Sequence, residues 1–174
     1  MASTQGPKLI ASYTVDSGST SSITFSSIPQ TYNDLMFVTS LKSLSGAIAG
    51  EVVYASYNGT DVLTNWTGIY LQGSGSAAGS GSFPNYSANV FGQSGGTAQA
   101  FNNGMLYIPN YTSSQYKAST TNAVNENDAQ TAYAAVTANL WSNTAAITSV
   151  TFTIHTGPTF SPNSTIYLYG IKNS

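Results

Sequence analysis

Two short stretches alternate apolar and polar residues without a break, and they fix the class of structure open to the chain. Ser149-Val-Thr-Phe-Thr-Ile-His155 sets Val150, Phe152 and Ile154 on one face and Thr151, Thr153 and His155 on the other. Ser22-Ile-Thr-Phe-Ser26 does the same with Ile23 and Phe25. A period of two belongs to a strand with one buried face. Residues 9–15, 34–42, 52–57, 105–108 and 165–171 are rich in β-branched, aromatic and apolar residues and read as further strands. In 165–171 both alternating sets are apolar or aromatic, which fits a central strand covered on both faces or one lying under a subunit contact. Residues 131–141 allow two readings. Their alanines favour a helix carrying Ala134, Ala138 and Trp141 on one side, while the alternation of Tyr133, Ala135, Thr137 and Asn139 with Ala134, Val136, Ala138 and Leu140 favours a strand. The strand is preferred.

Turn residues punctuate these runs. Asp16-Ser-Gly-Ser-Thr20 and Ser27-Ile-Pro-Gln-Thr31 bracket the second strand, Asn58-Gly59 is a type I′ hairpin signal, and Asn125-Glu-Asn-Asp128 reads as another reversal. From Gly73 to about Gly104 the chain is rich in Gly, Ser and Ala, a composition that alone would make a flexible linker. Phe83, Tyr86, Phe91 and Phe101 interrupt it, so loops with one or two short strands are expected there. With 174 residues and no complete sheet on either side of that tract, residues 1–174 read as one domain. The expected fold is all-β: a single jelly-roll-like β-sandwich of roughly eight to ten antiparallel strands.

Charge narrows the function classes. Asp, Glu, Lys and Arg make up 6% of the chain, against about 25% in an average soluble domain. Four lysines (Lys8, Lys42, Lys117 and Lys172), no arginine and one histidine cannot supply the basic field a nucleic-acid binder needs. Apolar runs of four or five residues fall far short of the about 20 needed to span a membrane as a helix. The opening Met-Ala-Ser-Thr-Gln-Gly-Pro-Lys lacks the basic-then-apolar order of a signal peptide. With no cysteine, thiolate metal sites and thiol nucleophiles are absent. The surface must be built from Ser, Thr, Asn, Gln and Gly. Such a surface is insensitive to salt and suits dense packing beside identical copies.

No catalytic constellation emerges from the remaining residues. His155 falls on the outer face of an expected strand with no nucleophile elbow in the sequence. Most of the six acids, Asp16, Asp34, Glu51, Asp61, Glu126 and Asp128, fall in expected turns, where carboxylates cap backbone groups. The oxygen-rich Asn125–Asp128 cluster lacks the spacing of a calcium loop. Asn-x-Ser/Thr triplets at Asn58, Asn65, Asn85, Asn110 and Asn163 are what so Asn-, Ser- and Thr-rich a chain produces by chance. No enzyme, cofactor or metal is expected. Aromatics, at 12% of the chain, are the better source of contacts. Trp66 and Tyr70, beside an expected turn, and Tyr111 and Tyr116, flanking Thr-Ser-Ser-Gln, are the candidates for an exposed interface or for stacking on a glycan.

Two blocks carry a family resemblance: Ser21-Ser-Ile-Thr-Phe-Ser-Ser-Ile-Pro-Gln-Thr-Tyr-Asn-Asp-Leu35, and Ala146-Ile-Thr-Ser-Val-Thr-Phe-Thr-Ile154 with Ser164-Thr-Ile-Tyr-Leu-Tyr-Gly-Ile-Lys172. With Tyr57-Asn-Gly-Thr-Asp61 and Ile108-Pro-Asn-Tyr111, they resemble small virion structural proteins of tailed bacteriophages, particularly those of cyanobacteria and other aquatic bacteria. The resemblance implies a jelly-roll-like sandwich on the particle. It would decorate or cement the capsid, or form part of a tail fibre that recognises host surface glycans. The implied partners are other virion proteins and further copies of the chain, as a trimer or dimer. The Gly- and Ala-rich tract at 73–104 departs from the family in length and composition.

Overall fold

A computed structural model describes residues 6–18, 20–44, 52–84, 88–91, 101–126, 132–154 and 159–172. Twelve strands run through them: β1 (Lys8–Thr14), β2 (Ser22–Phe25), β3 (Asp34–Leu41), β4 (Val53–Tyr57), β5 (Trp66–Gly73), β6 (Ala78–Pro84), β7 (Ala88–Phe91), β8 (Asn102–Ile108), β9 (Lys117–Glu126), β10 (Ala132–Trp141), β11 (Val150–Ile154) and β12 (Thr165–Ile171). There is no helix among the described residues. The strands form an eight-stranded sheet, β1-β12-β3-β8-β9-β10-β5-β6, and a four-stranded sheet, β2-β11-β4-β7.

The order of pairing explains both the class and the strand count. With β5, β6, β9 and β10 set aside, eight strands remain and pair antiparallel from the outside in. They are β1 with β12, β2 with β11, β3 with β8, and β4 with β7. That nesting, split between two sheets, is the double Greek key of a jelly roll. Two inserted pairs lengthen only one of its sheets. β9 pairs with β8 and β10, and β5 pairs with β10 and β6. The expected sandwich is therefore present, and its strands exceed the expected range because of these insertions.

Alternation places the core as expected. Ile23 and Phe25 of β2, Val150, Phe152 and Ile154 of β11, and Leu35, Phe37 and Leu41 of β3 are all buried. Phe25, Phe37 and Phe152 meet edge to face with centroids 5.2–6.3 Å apart, joining the two sheets. A second cluster holds the inserted strands to the roll. Trp66 and Trp141, directly paired across β5 and β10, stack at 6.1 Å, and Tyr57 of β4 meets both edge-on at 4.8 and 5.5 Å. Such pairs add about 0.5–1.5 kcal/mol each beyond the area they bury. Residues 132–141 are a strand, because their odd-numbered set, ending in Thr137, Asn139 and Trp141, faces this core.

Turn chemistry is recognisable at single residues. Asn58 and Gly59 both have positive φ, 52° and 68°, as their type I′ signal requires, and the Thr60 amide donates to the Tyr57 carbonyl at 2.9 Å. They close no hairpin, however: β4 and β5 lie in different sheets. Asn58 instead staples the loop before β11. Its Nδ2 donates to the Ala146 carbonyl at 2.8 Å and its Oδ1 accepts from the Thr148 and Ser149 amides at 2.8 and 3.1 Å. Asn65, Asn110 and Asn163 are also left-handed, at 63°, 49° and 67°. Four of the five Asn-x-Ser/Thr triplets are thus turn positions, where asparagine tolerates that conformation better than other side chains. Asn85, Asp128 and His155 lie outside the described residues, as does Glu51. In the Gly-rich tract, β6 and β7 are the two short strands expected. A turn at Gly75, with φ 76° and the Ser74 amide bonded to the Ala77 carbonyl at 2.9 Å, leads from β5 into β6.

Candidate functional site

The four candidate aromatics do not form one surface. Trp66 is 1% exposed and belongs to the indole cluster, and Tyr111 is fully buried with its hydroxyl donating to the Pro29 carbonyl. Neither can touch a partner or a glycan, which corrects the expectation of exposure for both. Each follows a left-handed asparagine, Asn65 or Asn110, and the reversal at that residue turns the next side chain inward. Tyr70 is half-buried on the inner side of β5, stacked on Phe83 at 4.7 Å. Its ring covers Gly81 of β6, where an added Cβ would lie 2.6 Å from it. Only Tyr116, 57% exposed, stands in solvent as expected.

Several polar groups in the interior are tied into structure, while Trp66 Nε1, Trp141 Nε1, Asn102 Oδ1 and both side-chain polar atoms of Asn139 are buried without a hydrogen-bond partner. Asp34 is buried; its Oδ2 accepts from the Tyr107 hydroxyl at 2.6 Å and its Oδ1 from the Asn110 amide at 2.9 Å. That carboxylate pushes the Tyr107 phenol up to about 12, first through the hydrogen bond and then with the help of burial. Burial raises the phenols of Tyr57 and Tyr111 as well. Lys117 is 1% exposed, and its ammonium donates to the Gln115 carbonyl at 2.5 Å and reaches that of Thr144 at 3.5 Å. Desolvation lowers its proton affinity. Asp61 caps its own turn by accepting from the Leu63 amide at 2.9 Å. No group of three or more His, Cys, Asp or Glu able to hold a metal occurs among the described residues.

The outer faces of the two sheets carry the clearest functional contrast. On the four-stranded sheet, Ser22 and Thr24 of β2 lie beside Thr153 and Thr151 of β11, and the Thr24 and Thr151 hydroxyls are 3.0 Å apart. Over β2 and β11 this face is built of hydroxyls. On the eight-stranded sheet, register aligns Val38, Met105, Asn122, Val136, Leu71 and Ser80 in one row from β3 to β6. The adjacent row is Met36, Tyr107, Thr120, Ala138, Ile69 and Ser82. Leu71 is 64% exposed, Ile69 61% and Val136 53%. Val124 and Leu140 are exposed beside them. Asp34 is the one charged residue at an outward position of β3, and Tyr107 and Asn110 seal it. Tyr167 of β12 is also exposed, so 165–171 is not covered on both faces.

A shallow open groove of about 410 Å³ crosses this face where β10, β5 and β6 meet. Thr67, Ile69, Ser82, Ala138 and Leu140 line it, with Gly68, Phe83 and Asn139 between them. Phe83, Ala138, Asn139 and Leu140 are legible in the sequence as strand or loop residues, but not as a shared surface. Their signal was an outward set, Ile69, Leu71, Val136 and Leu140, as apolar as the inward one. No protein-family model, curated protein or solved structure matches the chain.

Proposed function

We propose that the chain is a non-enzymatic structural protein of a bacteriophage particle, a capsid decoration or cement protein bound to neighbouring capsid subunits. The jelly-roll pairing, with exposed apolar side chains over β5 and β10 on the outer face of its larger sheet, is the observation that carries this reading. Jelly rolls recur in viral capsid domains. Exposed apolar patches on such a sheet serve as protein contacts, and a chain with 6% charged residues packs beside its neighbours without mutual repulsion. The family-like blocks at residues 21–35, 146–154 and 164–172 support the same role. Cryo-EM of intact particles tests it: the expected result is a twelve-stranded roll seated on the capsid lattice. Absence of the chain from capsid and tail alike sinks the proposal.

The alternative is a tail-fibre module that stacks host glycans on aromatic rings. It has narrower support, because Tyr116 alone of the four candidate aromatics stands in solvent. Binding on a glycan array that Tyr116→Ala abolishes would favour this reading over the first. No helix among the described residues is long and apolar enough to cross a membrane.

A further inference from the structure

We propose that Asn58–Gly59 is a self-modification site that the fold holds closed. When the turn opens, the Asn58 side chain cyclises onto the Gly59 nitrogen, and the aspartyl products cannot refasten the loop before β11. The site goes beyond the particle role and does not depend on it.

The reactants are neighbours in the chain, and glycine puts no Cβ in the way of its own amide nitrogen. The step is an acyl transfer without redox change. The Gly59 nitrogen bonds to Asn58 Cγ, the Cγ–Nδ2 bond breaks, and Nδ2 leaves as ammonia with the proton of the Gly59 amide. Water then opens the five-membered imide at either carbonyl, giving aspartate or its β-linked isomer. In the folded chain the two reacting groups are kept apart. Asn58 and Gly59 have φ of 52° and 68° in a type I′ turn, closed by the Thr60 amide on the Tyr57 carbonyl at 2.9 Å. With ψ of about 30° at its first central residue, such a turn sets the Gly59 nitrogen across the Asn58 Cα–C bond from Cβ. The carboxamide is held away as well. Its Nδ2 donates to the Ala146 carbonyl at 2.8 Å, and its Oδ1 accepts from the Thr148 and Ser149 amides at 2.8 and 3.1 Å and from the Thr148 hydroxyl at 3.2 Å. The Asn58 amide itself donates to the Ser149 carbonyl at 3.0 Å. Either product loses this staple. An aspartyl oxygen in place of Nδ2 would face the Ala146 carbonyl, acceptor against acceptor, and the β-linked isomer lengthens the main chain inside a tight turn. The loop so released carries the buried Ile147 and runs into β11, whose Val150 pairs with Tyr57.

Peptide mapping by mass spectrometry tests the site, on the full chain held at mildly alkaline pH with and without guanidinium chloride. The other Asn-Gly pair of the chain, Asn103–Gly104, lies in β8 between β3 and β9 and is the internal reference. In denaturant both asparagines should convert to the acid at similar rates. Without it, conversion at Asn58 should slow by about tenfold or more, since it must wait for the turn to open. Gly59→Ala should slow conversion in denaturant at Asn58 alone, because the added methyl hinders the nitrogen. Asn58→Asp carries the product's carboxylate. At neutral pH its urea midpoint should fall, with the unfolding constant raised about fivefold or more. Where that variant does not fold, chains converted in denaturant and then diluted give the same reading, a lower midpoint than unconverted chains treated alongside. Equal conversion at Asn58 with and without denaturant overturns the proposal. So does an Asn58 that stays intact in denaturant while Asn103 converts, or an Asn58→Asp or converted chain at least as stable as the parent.

Discussion

The outer faces of the two sheets sit over one core and differ in almost everything else. Over β2 and β11 the outward row is Ser22, Thr24, Thr151 and Thr153; over β10 and β5 it is Val136, Ala138, Leu140, Ile69 and Leu71. Both rows meet the fold's requirement for β-forming side chains, since threonine, valine and isoleucine suit strands alike. Strand propensity therefore does not explain the difference. Hydroxyls return their hydration to water, whereas exposed leucine and isoleucine at 64% and 61% lose by it. The fold can be built with either face. What surrounds the folded chain separates them.

The sharpest way to break that comparison is to remove the core beneath each face in turn. Phe152→Ala, under the hydroxyl face, and Trp141→Ala, under the apolar one, should each cost about 3–5 kcal/mol by chemical denaturation. Their hydrogen-exchange patterns should diverge. Trp141 anchors the inserted strands through Trp66 and Tyr57, so in Trp141→Ala the amides of β5 and β10 should exchange well before those of β2 and β11. Equal loss of protection in both sheets would mean that the strands bearing the apolar face are not separately anchored.

Two glycines refine the point within those strands. A Cβ on Gly68 would lie 2.7 Å from the buried Asn139 Oδ1 and 3.3 Å from the Ala138 carbonyl, so Gly68→Ala should destabilise by about 1–3 kcal/mol. On Gly79 the nearest atoms belong to Gln72 at 3.6 Å, ordinary contact, and Gly79→Ala should be neutral or stabilise by up to about 1 kcal/mol. Thermal melts of the two variants beside the parent chain check both signs.

How much of this was legible follows from what local sequence can encode. A period of two disclosed Ile23, Phe25, Val150, Phe152 and Ile154 as core, because burial of one strand face is written in adjacent residues. The inserted pairs were not legible. β5 and β10 meet from Trp66–Trp141 to Gly73–Ala134, and no local feature of either segment names so distant a partner. Trp66 and Tyr111 misled for a more specific reason. Trp66 stands beside an expected turn and Tyr111 beside Thr-Ser-Ser-Gln, positions that usually mean exposure, but the left-handed Asn65 and Asn110 swing the following rings into the core. The apolar outer face went unread because Ala134, Val136, Ala138 and Leu140 show whether a strand can form, not which side meets water.

Alkaline titration gives a smaller effect and reaches Asp34, at an outward position of β3. Tyr107 is held near 12 by Asp34, above the ordinary value of 10. Below pH 10 both folded and unfolded chains keep that proton, and stability is level. Above it the unfolded chain ionises first, so stability falls as pH rises through the folded value near 12. Urea midpoints should therefore hold through neutral pH and drop beyond about 10. The drop should be shallower in Tyr107→Phe, with the remainder due to Tyr57 and Tyr111, whose phenols burial also raises. A midpoint that rises above pH 10, or a Tyr107→Phe curve as steep as the parent's, would remove the Asp34–Tyr107 bond from the account.

Sodium chloride should do least of all. Raising it from about 0.1 to about 1 M shortens the Debye length from about 10 to about 3 Å, which abolishes most attraction between exposed charges. With neither outer face held by exposed ions, the stability should change by no more than about 0.5 kcal/mol. Sulfate is the informative control, because it strengthens apolar burial rather than screening charge. It should raise the urea midpoint of the parent chain, where sodium chloride leaves it level. A larger loss of stability in sodium chloride would place part of the fold's stability on exposed ion pairs.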